Sequence, residues 1–251
     1  MLASVLPLLP PGWRKSDGAT VQQLYSLVVG ENQGRPGIRR LNVLYSNIVR
    51  VARSNALGQV LEAFETDLHR HTAEASSNRT FLHAGVVGWH GRAIVMPGRS
   101  LSGKTTLVRE MLRLGATYYS DEFAVVDNSG RVHPFARPLG IRQKGSYAQT
   151  RCTAEGLGAT VGVGPLTVGM AVICQYKKGA HWQPIRLSQG QGALELLANS
   201  IAIRGQPHRT LTRVHALAKQ TVFFRGARGD AREAAENIIN LLDRQERLET
   251  V

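Results

Sequence analysis

Eight consecutive residues, Gly98-Arg99-Ser100-Leu101-Ser102-Gly103-Lys104-Thr105, with Thr106 following, narrow what this chain can build. They satisfy G-x-x-x-x-G-K-[ST] at every fixed position. The glycines let the backbone wrap a phosphate chain, while successive N–H groups and the start of a following helix face the phosphate oxygens. In this reading Lys104 neutralises the β- and γ-phosphates and the Thr105 hydroxyl ligates Mg²⁺. The flanks agree: Ala93-Ile94-Val95-Met96 is a short apolar run, and Leu107, Leu112 and Leu114 form an apolar helical stripe. The order strand, loop, helix is therefore present. A nucleotide is expected to lie against the whole stretch from Gly98 to Thr106.

Composition bounds the remainder. A chain of 251 residues fits one large domain, or a domain with an appendage. The hydrophobic fraction of 43% and the charged fraction of 20% are those of an ordinary globular protein, so disorder is not indicated. The net charge of +13 is spread along the chain, its densest cluster being Arg35, Arg39, Arg40, Arg50 and Arg53. Aromatics are too few for an obvious base-stacking platform, which makes nucleic acid the least favoured partner. An acidic protein or peptide would answer the same charge. Taken singly, each arginine reads as part of a solvated basic face.

Cys152 and Cys174 lack metal-ligand spacing and read as buried thiols of a reducing compartment. The opening Met1-Leu2-Ala3-Ser4-Val5-Leu6-Pro7-Leu8-Leu9-Pro10 has no basic n-region and is broken by prolines, unlike a signal peptide. No run approaches the roughly 18 apolar residues of a membrane span. The expectation is a soluble cytoplasmic protein with no membrane partner; a homo-oligomer stays open.

Periodicity predicts a short helix over 20–29, a loop over Asn32 to Gly37, two strands, Leu41 to Tyr45 and Ile48 to Val51, and an amphipathic helix over 55–72. The polar connection Ala73 to Arg79 is the best boundary, which divides the chain into an appended α+β segment, 1–75, and a nucleotide-binding domain, 76–251. A hairpin from Phe81 to Met96, turning at His90-Gly91, leads into Gly98. A helix from Gly103 to Leu114 ends at Gly115. Short strands joined by tight turns follow at Thr117 to Glu122, Phe123 to Val126 and Val132 to Phe135. Residues 150–166 give no period and read as a mobile loop. Beyond them come a strand pair, Val168 to Tyr176 with Trp182 to Leu187, helices at 189–203 and 208–219, a strand at Val222 to Phe224 and a helix at 230–248. The class is α/β, with a mixed, largely antiparallel sheet in place of regular βαβ units.

Phosphoryl transfer needs a metal held near the γ-phosphate and a group that positions or deprotonates the nucleophile. Asp121 and Glu122, at the end of a short apolar strand, are the candidates, with Asp121 first. Adjacent side chains of a regular strand point to opposite faces, so both can serve only where the strand ends or bulges. His83 stands alone among apolar residues, the usual setting of a core histidine. Arg137 and Arg204 have the charge to offset a transition-state phosphate, or to be plain surface cations. His208 and His215 show no metal-site spacing.

Taken in order, Leu82-His83-Ala84-Gly85, the phosphate loop, Gly115-Ala116-Thr117-Tyr118-Tyr119-Ser120-Asp121-Glu122 and Arg137-Pro138 resemble the C-terminal catalytic domain of HPr kinase/phosphorylase and its shorter kinase-like relatives. The resemblance covers about Phe81 to Arg142. It implies a fold core shared with the ATP-dependent phosphoenolpyruvate carboxykinases, ATP and Mg²⁺ as donor and metal, and transfer to a serine hydroxyl of a protein or peptide. It also implies that Lys104 and Thr105 bind phosphate and metal, that Asp121 shares the metal, and that His83 sits near the transferred group. Where the family has two aspartates, this chain has Asp121-Glu122. Residues 1–75 do not match the N-terminal domain of the HPr enzymes, and their phosphorolysis signature is not recognisable here, so a peptide acceptor stands beside a protein one. An ATP-sensing module without transfer, or a small-molecule kinase, are the alternatives.

Overall fold

A computed structural model of the chain describes residues 2–30, 41–99, 102–142 and 149–249. Ser100 and Leu101 of the nucleotide motif lie outside these, as do Arg35, Arg39 and Arg40 and the expected loop from Asn32 to Gly37. The chain divides into two compact units, 1–72 and 73–251. The division falls near the end of a helix, Leu57–Ala75, at the first residue of the connection Ala73 to Arg79.

In the first unit a short helix α1 (Leu2–Val5) and a 3₁₀ turn (Leu6–Leu8) precede strands β1 (Tyr25–Val28), β2 (Asn42–Ser46) and β3 (Val49–Ser54), then helix α2 (Leu57–Ala75). The three strands form an antiparallel sheet in the order β1-β2-β3. The helix expected over 20–29 is replaced by β1. The alternation of these four residues puts Tyr25 and Leu27 on the core side with Leu44, Val60 and Phe64, and pairing with β2 outweighs a helix of about ten residues, which is marginal by itself.

The second unit is built on an eight-stranded sheet. Its strands are β4 (Thr80–Trp89), β5 (Arg92–Pro97), β6 (Thr117–Ser120), β7 (Phe123–Val126), β8 (Val132–His133), β11 (Thr167–Tyr176), β12 (Ile185–Leu187) and β13 (Val222–Arg228). They run in the order β12-β13-β11-β5-β4-β7-β8, with β6 also paired to β4. A separate ribbon joins β9 (Leu139–Arg142) and β10 (Gln149–Cys152). Strand β11 is parallel to both β5 and β13, and the other pairs are antiparallel. The class is thus α/β with mixed, largely antiparallel sheets and six α-helices among the described residues. None of these helices is long and apolar enough to cross a membrane.

Helices α3 (Lys104–Arg113) and α6 (Ala231–Glu249) cover one face of the sheet, burying Leu107, Met111, Ile238 and Leu242 against Ile94, Met170 and Val172. Helices α4 (Gln189–Ala198) and α5 (Pro207–Lys219) cover the other, with Leu196, Val214 and Leu217 against Val86, Val95 and Ala171. The hairpin β4–β5 turns at His90 and Gly91, whose φ values of 45° and 81° are those of a two-residue type I′ turn. Helix α3 stops where Gly115, at φ 99°, lets its own N–H reach the Leu112 carbonyl and the Ala116 N–H reach that of Met111.

Three expectations need correction. The strand beginning near Val168 does not form a hairpin with the one ending at Leu187, because β13 lies between β11 and β12 and pairs with both. The first of the two late helices ends at Ala198, and Asn199 to Ile201 instead bond to Phe81 and His83 of β4. Within 150–166 lie part of β10, a 3₁₀ turn at Glu155–Leu157, and Thr160 and Gly162 bonded to the Tyr118 backbone. That stretch has no period because its order comes from partners distant in the chain.

Candidate functional site

Strand β4 organises the site. On one side β5 leaves it at Pro97, opposite Ala84, and Gly98 donates its N–H to the His83 carbonyl at 3.1 Å. On the other side β6 ends at Ser120 and β7 begins at Phe123, so Asp121 and Glu122 occupy a bend facing Ala84 and Gly85. The two sequence segments are therefore brought to the same few residues of β4 from opposite sides. The bend also resolves how neighbouring acids can both serve, since the regular alternation of a strand is broken there.

Gly85 lets the helix come close. A Cβ added to it would stand 2.8 Å from Val108 Cγ2 and 3.7 Å from Lys104 Cβ, so the first turns of α3 lie directly over the strand. Gly103 starts that helix in the left-handed region, at φ 87°. Lys104 folds back, donating from Nζ to the carbonyls of Gly98 at 2.7 Å and Arg99 at 2.8 Å. Thr105 Oγ1 donates to Asp121 Oδ2 at 2.9 Å across 16 residues of sequence. The Tyr118 hydroxyl lies 3.1 Å from Asp121 Oδ1 and 2.8 Å from the Arg137 carbonyl. Glu122 forms an ion pair with Arg137. The Ser120 hydroxyl accepts from the Phe123 N–H at 2.9 Å and the Glu122 N–H at 3.2 Å, which fixes the bend itself.

Burial sets the electrostatics. It raises the Asp121 carboxyl above its ordinary value, against hydrogen bonds from Thr105 and Tyr118 and the Arg137 charge, which all lower it. Burial lowers the Lys104 ammonium, opposed by Asp121 and then Glu122, so both acids are felt at that lysine. Burial and then the Lys104 charge lower His83, leaving a neutral imidazole at neutral pH. Its ring stacks 5.4 Å from that of Phe123.

Of the residues singled out in the sequence, Gly98, Gly103, Lys104, Thr105, His83, Asp121 and Glu122 therefore gather in one place, with Arg137. Arg99 joins through its carbonyl and Ser102 lies beside Gly98, while Thr106 is exposed. Arg204, His208 and His215 are exposed on the α4–α5 connection and α5, and take no part in these contacts. Cys152 and Cys174 are half-buried, short of the full burial expected; burial pushes the Cys174 thiol up to about 12.

Three contributors escaped the sequence reading. Tyr118 and Ser120 belong to a quoted stretch but carry no motif signal. Arg228, at the end of β13, is buried and donates from Nη2 to the Gly103 carbonyl at 2.9 Å, while its Nε has no hydrogen-bond partner among the described residues. A Cβ on residue 103 would stand 2.1 Å from that guanidinium and push it aside, and the φ of 87° there favours glycine independently. Nothing local to Arg228 signals this, because its partner is 125 residues away.

The donors beside Lys104 suit Mg²⁺. A threonine hydroxyl and a carboxylate are hard oxygen ligands, and Mg²⁺ takes few of these from protein when phosphates and water complete its shell. Compared with known proteins, the chain matches no family model and has no significantly similar curated relative.

Proposed function

We propose that the chain is an ATP-dependent kinase of the HPr-kinase type, acting in the cytoplasm on a serine hydroxyl of a protein or peptide. The observation that carries this reading is the hydrogen bond between Thr105 and Asp121. It joins the hydroxyl that the motif assigns to the metal to the acid that phosphoryl transfer requires. The antiparallel partners of β5 and β6 on β4 support a mixed-sheet core of the phosphoenolpyruvate carboxykinase type over a regular βαβ one.

Gly98, Arg99, Ser100, Leu101, Ser102, Gly103 and Thr106 would cradle the phosphates of ATP through the backbone, and Lys104 would exchange its two carbonyl partners for phosphate oxygens. Thr105 and Asp121 would hold Mg²⁺, which when bound draws charge from the phosphates. Asp121 accepts the serine proton as the serine oxygen bonds to the transferred phosphorus and the bond to the departing diphosphate breaks. Neutral His83 brings no extra charge beside Lys104 and offers a hydrogen bond to the transferred group.

The test is mass spectrometry of serine-containing polypeptides incubated with ATP, Mg²⁺ and protein. Wild type should add phosphate, and Lys104→Ala should abolish transfer while keeping its circular dichroism and melting temperature. Full activity in that variant would refute the reading. A binding-only module is the second reading, favoured by the ion pair that withdraws Glu122 toward Arg137. Tight ATP binding without any labelled product would select it, and phosphate found on a metabolite would select a small-molecule kinase.

A further inference from the structure

The proposed reaction gives the phosphates of the nucleotide a place but not its base. Strands β5, β11 and β13 are parallel and end on the side of the sheet where the motif begins, and ligands of parallel strands collect at their carboxyl ends. Ala171 pairs with Val95; β5 stops at Pro97, whereas β11 runs on to Tyr176. Tyr176 therefore stands about 10 Å past the end of β5, at roughly 3.3 Å per residue, on the side where the loop leaves. Side chains alternate along β11, and Met170, Val172 and Cys174 pack on the side of Leu107 and Met111 of α3. Tyr176 is the next of that series.

One guanidinium ties that tyrosine to the motif. Arg228, 3% exposed, donates from Nη2 to the Gly103 carbonyl at 2.9 Å and holds its Cζ over the Tyr176 ring, 5.6 Å from the ring centre. A single C–N bond of about 1.3 Å separates the two contacts, so the ring centre is no more than about 10 Å from the Gly103 carbonyl. A ribose and one phosphate bridge such a distance, which is the span from the base of a nucleoside triphosphate to the β-phosphate that Lys104 would hold. The ring is 59% exposed although a buried cation holds one of its faces. A fixed, solvent-facing aromatic ring is a stacking surface, and every nucleobase has a π-face to meet it.

We propose that Tyr176 stacks against the base of the nucleotide whose phosphates lie on Gly98 to Thr106, with Arg228 holding the ring in position. This rests on the motif binding a nucleotide, as the kinase reading requires, and not on phosphate transfer. The ring gives the site its means of telling a nucleoside triphosphate from a bare polyphosphate, which loop and lysine hold alike.

Isothermal titration calorimetry of the full chain with ATP and with inorganic tripolyphosphate, both with Mg²⁺, separates base from phosphates. Tyr176→Ala should weaken ATP about fivefold or more, the lower end of what one base–aromatic stack contributes, and leave tripolyphosphate within about twofold. Tyr176→Phe keeps the ring and should bind both ligands as wild type does. Tyr176→Leu, apolar but not aromatic, should repeat the alanine result and serves if the smaller side chain loosens the fold. Equal weakening of both ligands by Tyr176→Ala would show that the ring only steadies Arg228, and unchanged ATP affinity would show that it meets no base; either overturns the proposal. Wild type that binds neither ligand would sink the nucleotide reading and the stack with it. ATP held by wild type, weakened in Tyr176→Ala and never transferred would sink the kinase reading and leave the stack standing.

Discussion

Gly85→Ala tests whether α3 is seated on β4 as tightly as the site requires. The backbone at Gly85 is outside the left-handed region, so alanine is conformationally acceptable and on chain entropy alone would stabilise by about 0.4 to 1 kcal/mol. The added methyl, however, would stand 2.8 Å from Val108 Cγ2 and 3.4 Å from Met96 Cε. Val108 is fully buried on a helix, where a β-branched side chain has one favoured rotamer, so the helix must move instead. Overpacking of this kind costs about 1 to 3 kcal/mol, which exceeds the entropic gain. The displacement falls on the turn that holds Thr105, whose 2.9 Å bond to Asp121 is lost beyond 3.5 Å. Urea unfolding should show a net loss of about 1 to 2 kcal/mol, and titration with ATP should show weakened binding. Val108→Ala alone should cost about 2 kcal/mol for its lost methyls, yet the double variant should cost less than the sum by at least about 1 kcal/mol. A stabilised Gly85→Ala, or strict additivity with Val108→Ala, would refute the reasoning.

Three further outcomes are expected. Asp121→Asn should raise the melting temperature at pH 7 while abolishing phosphate transfer, because a carboxyl raised by burial destabilises the fold when ionised; the gain should shrink as pH falls and be gone below the ordinary value of 3.8, as pH-dependent melts would show. Asp127 responds in the opposite sense: burial raises it, but His133, the Arg131 and Ser129 N–H groups and the Arg131 charge lower it to about 2, so its stabilisation is full above 3.8 and lost as pH falls toward 2. Asp127→Asn should accordingly be less stable than wild type at pH 7 in urea, with the gap closing over that interval. Arg228→Lys keeps the charge but loses the fixed contact with the Gly103 carbonyl, so calorimetry should find ATP bound roughly tenfold more weakly with little change in melting temperature.

Local features of the chain were legible in its sequence. The turn at His90-Gly91, the C-terminal Gly115 and the stripe of α3 each follow from neighbours within a few residues, and their elements stand where periodicity put them. What periodicity does not carry is pairing. Val168 to Tyr176 and Trp182 to Leu187 look like a hairpin because they are adjacent, but β13 inserts between them and only the folded sheet reveals it. Tyr25 to Val28 is short enough for either period, and its partner in β2 decides. The candidate site divides likewise. Lys104, Thr105 and Asp121 are marked by motif and spacing, whereas Arg228 is an ordinary strand-end arginine until its guanidinium meets Gly103.

That last contact has a bearing on synthesis. The strand that delivers the motif, β5, has β11 as one neighbour, and the residue that fixes Gly103 is made 125 residues after it. At ribosomal speeds of about 5 to 20 residues per second, roughly 6 to 25 s separate the two on a nascent chain. Through that interval Gly103 lacks the guanidinium it rests against, and an unfinished or truncated chain ending before Arg228 never acquires it. On the proposed reading, a nucleotide is held in full only once Arg228 has been made, and ATP retention by ribosome-bound chains of graded length would report when the fold closes.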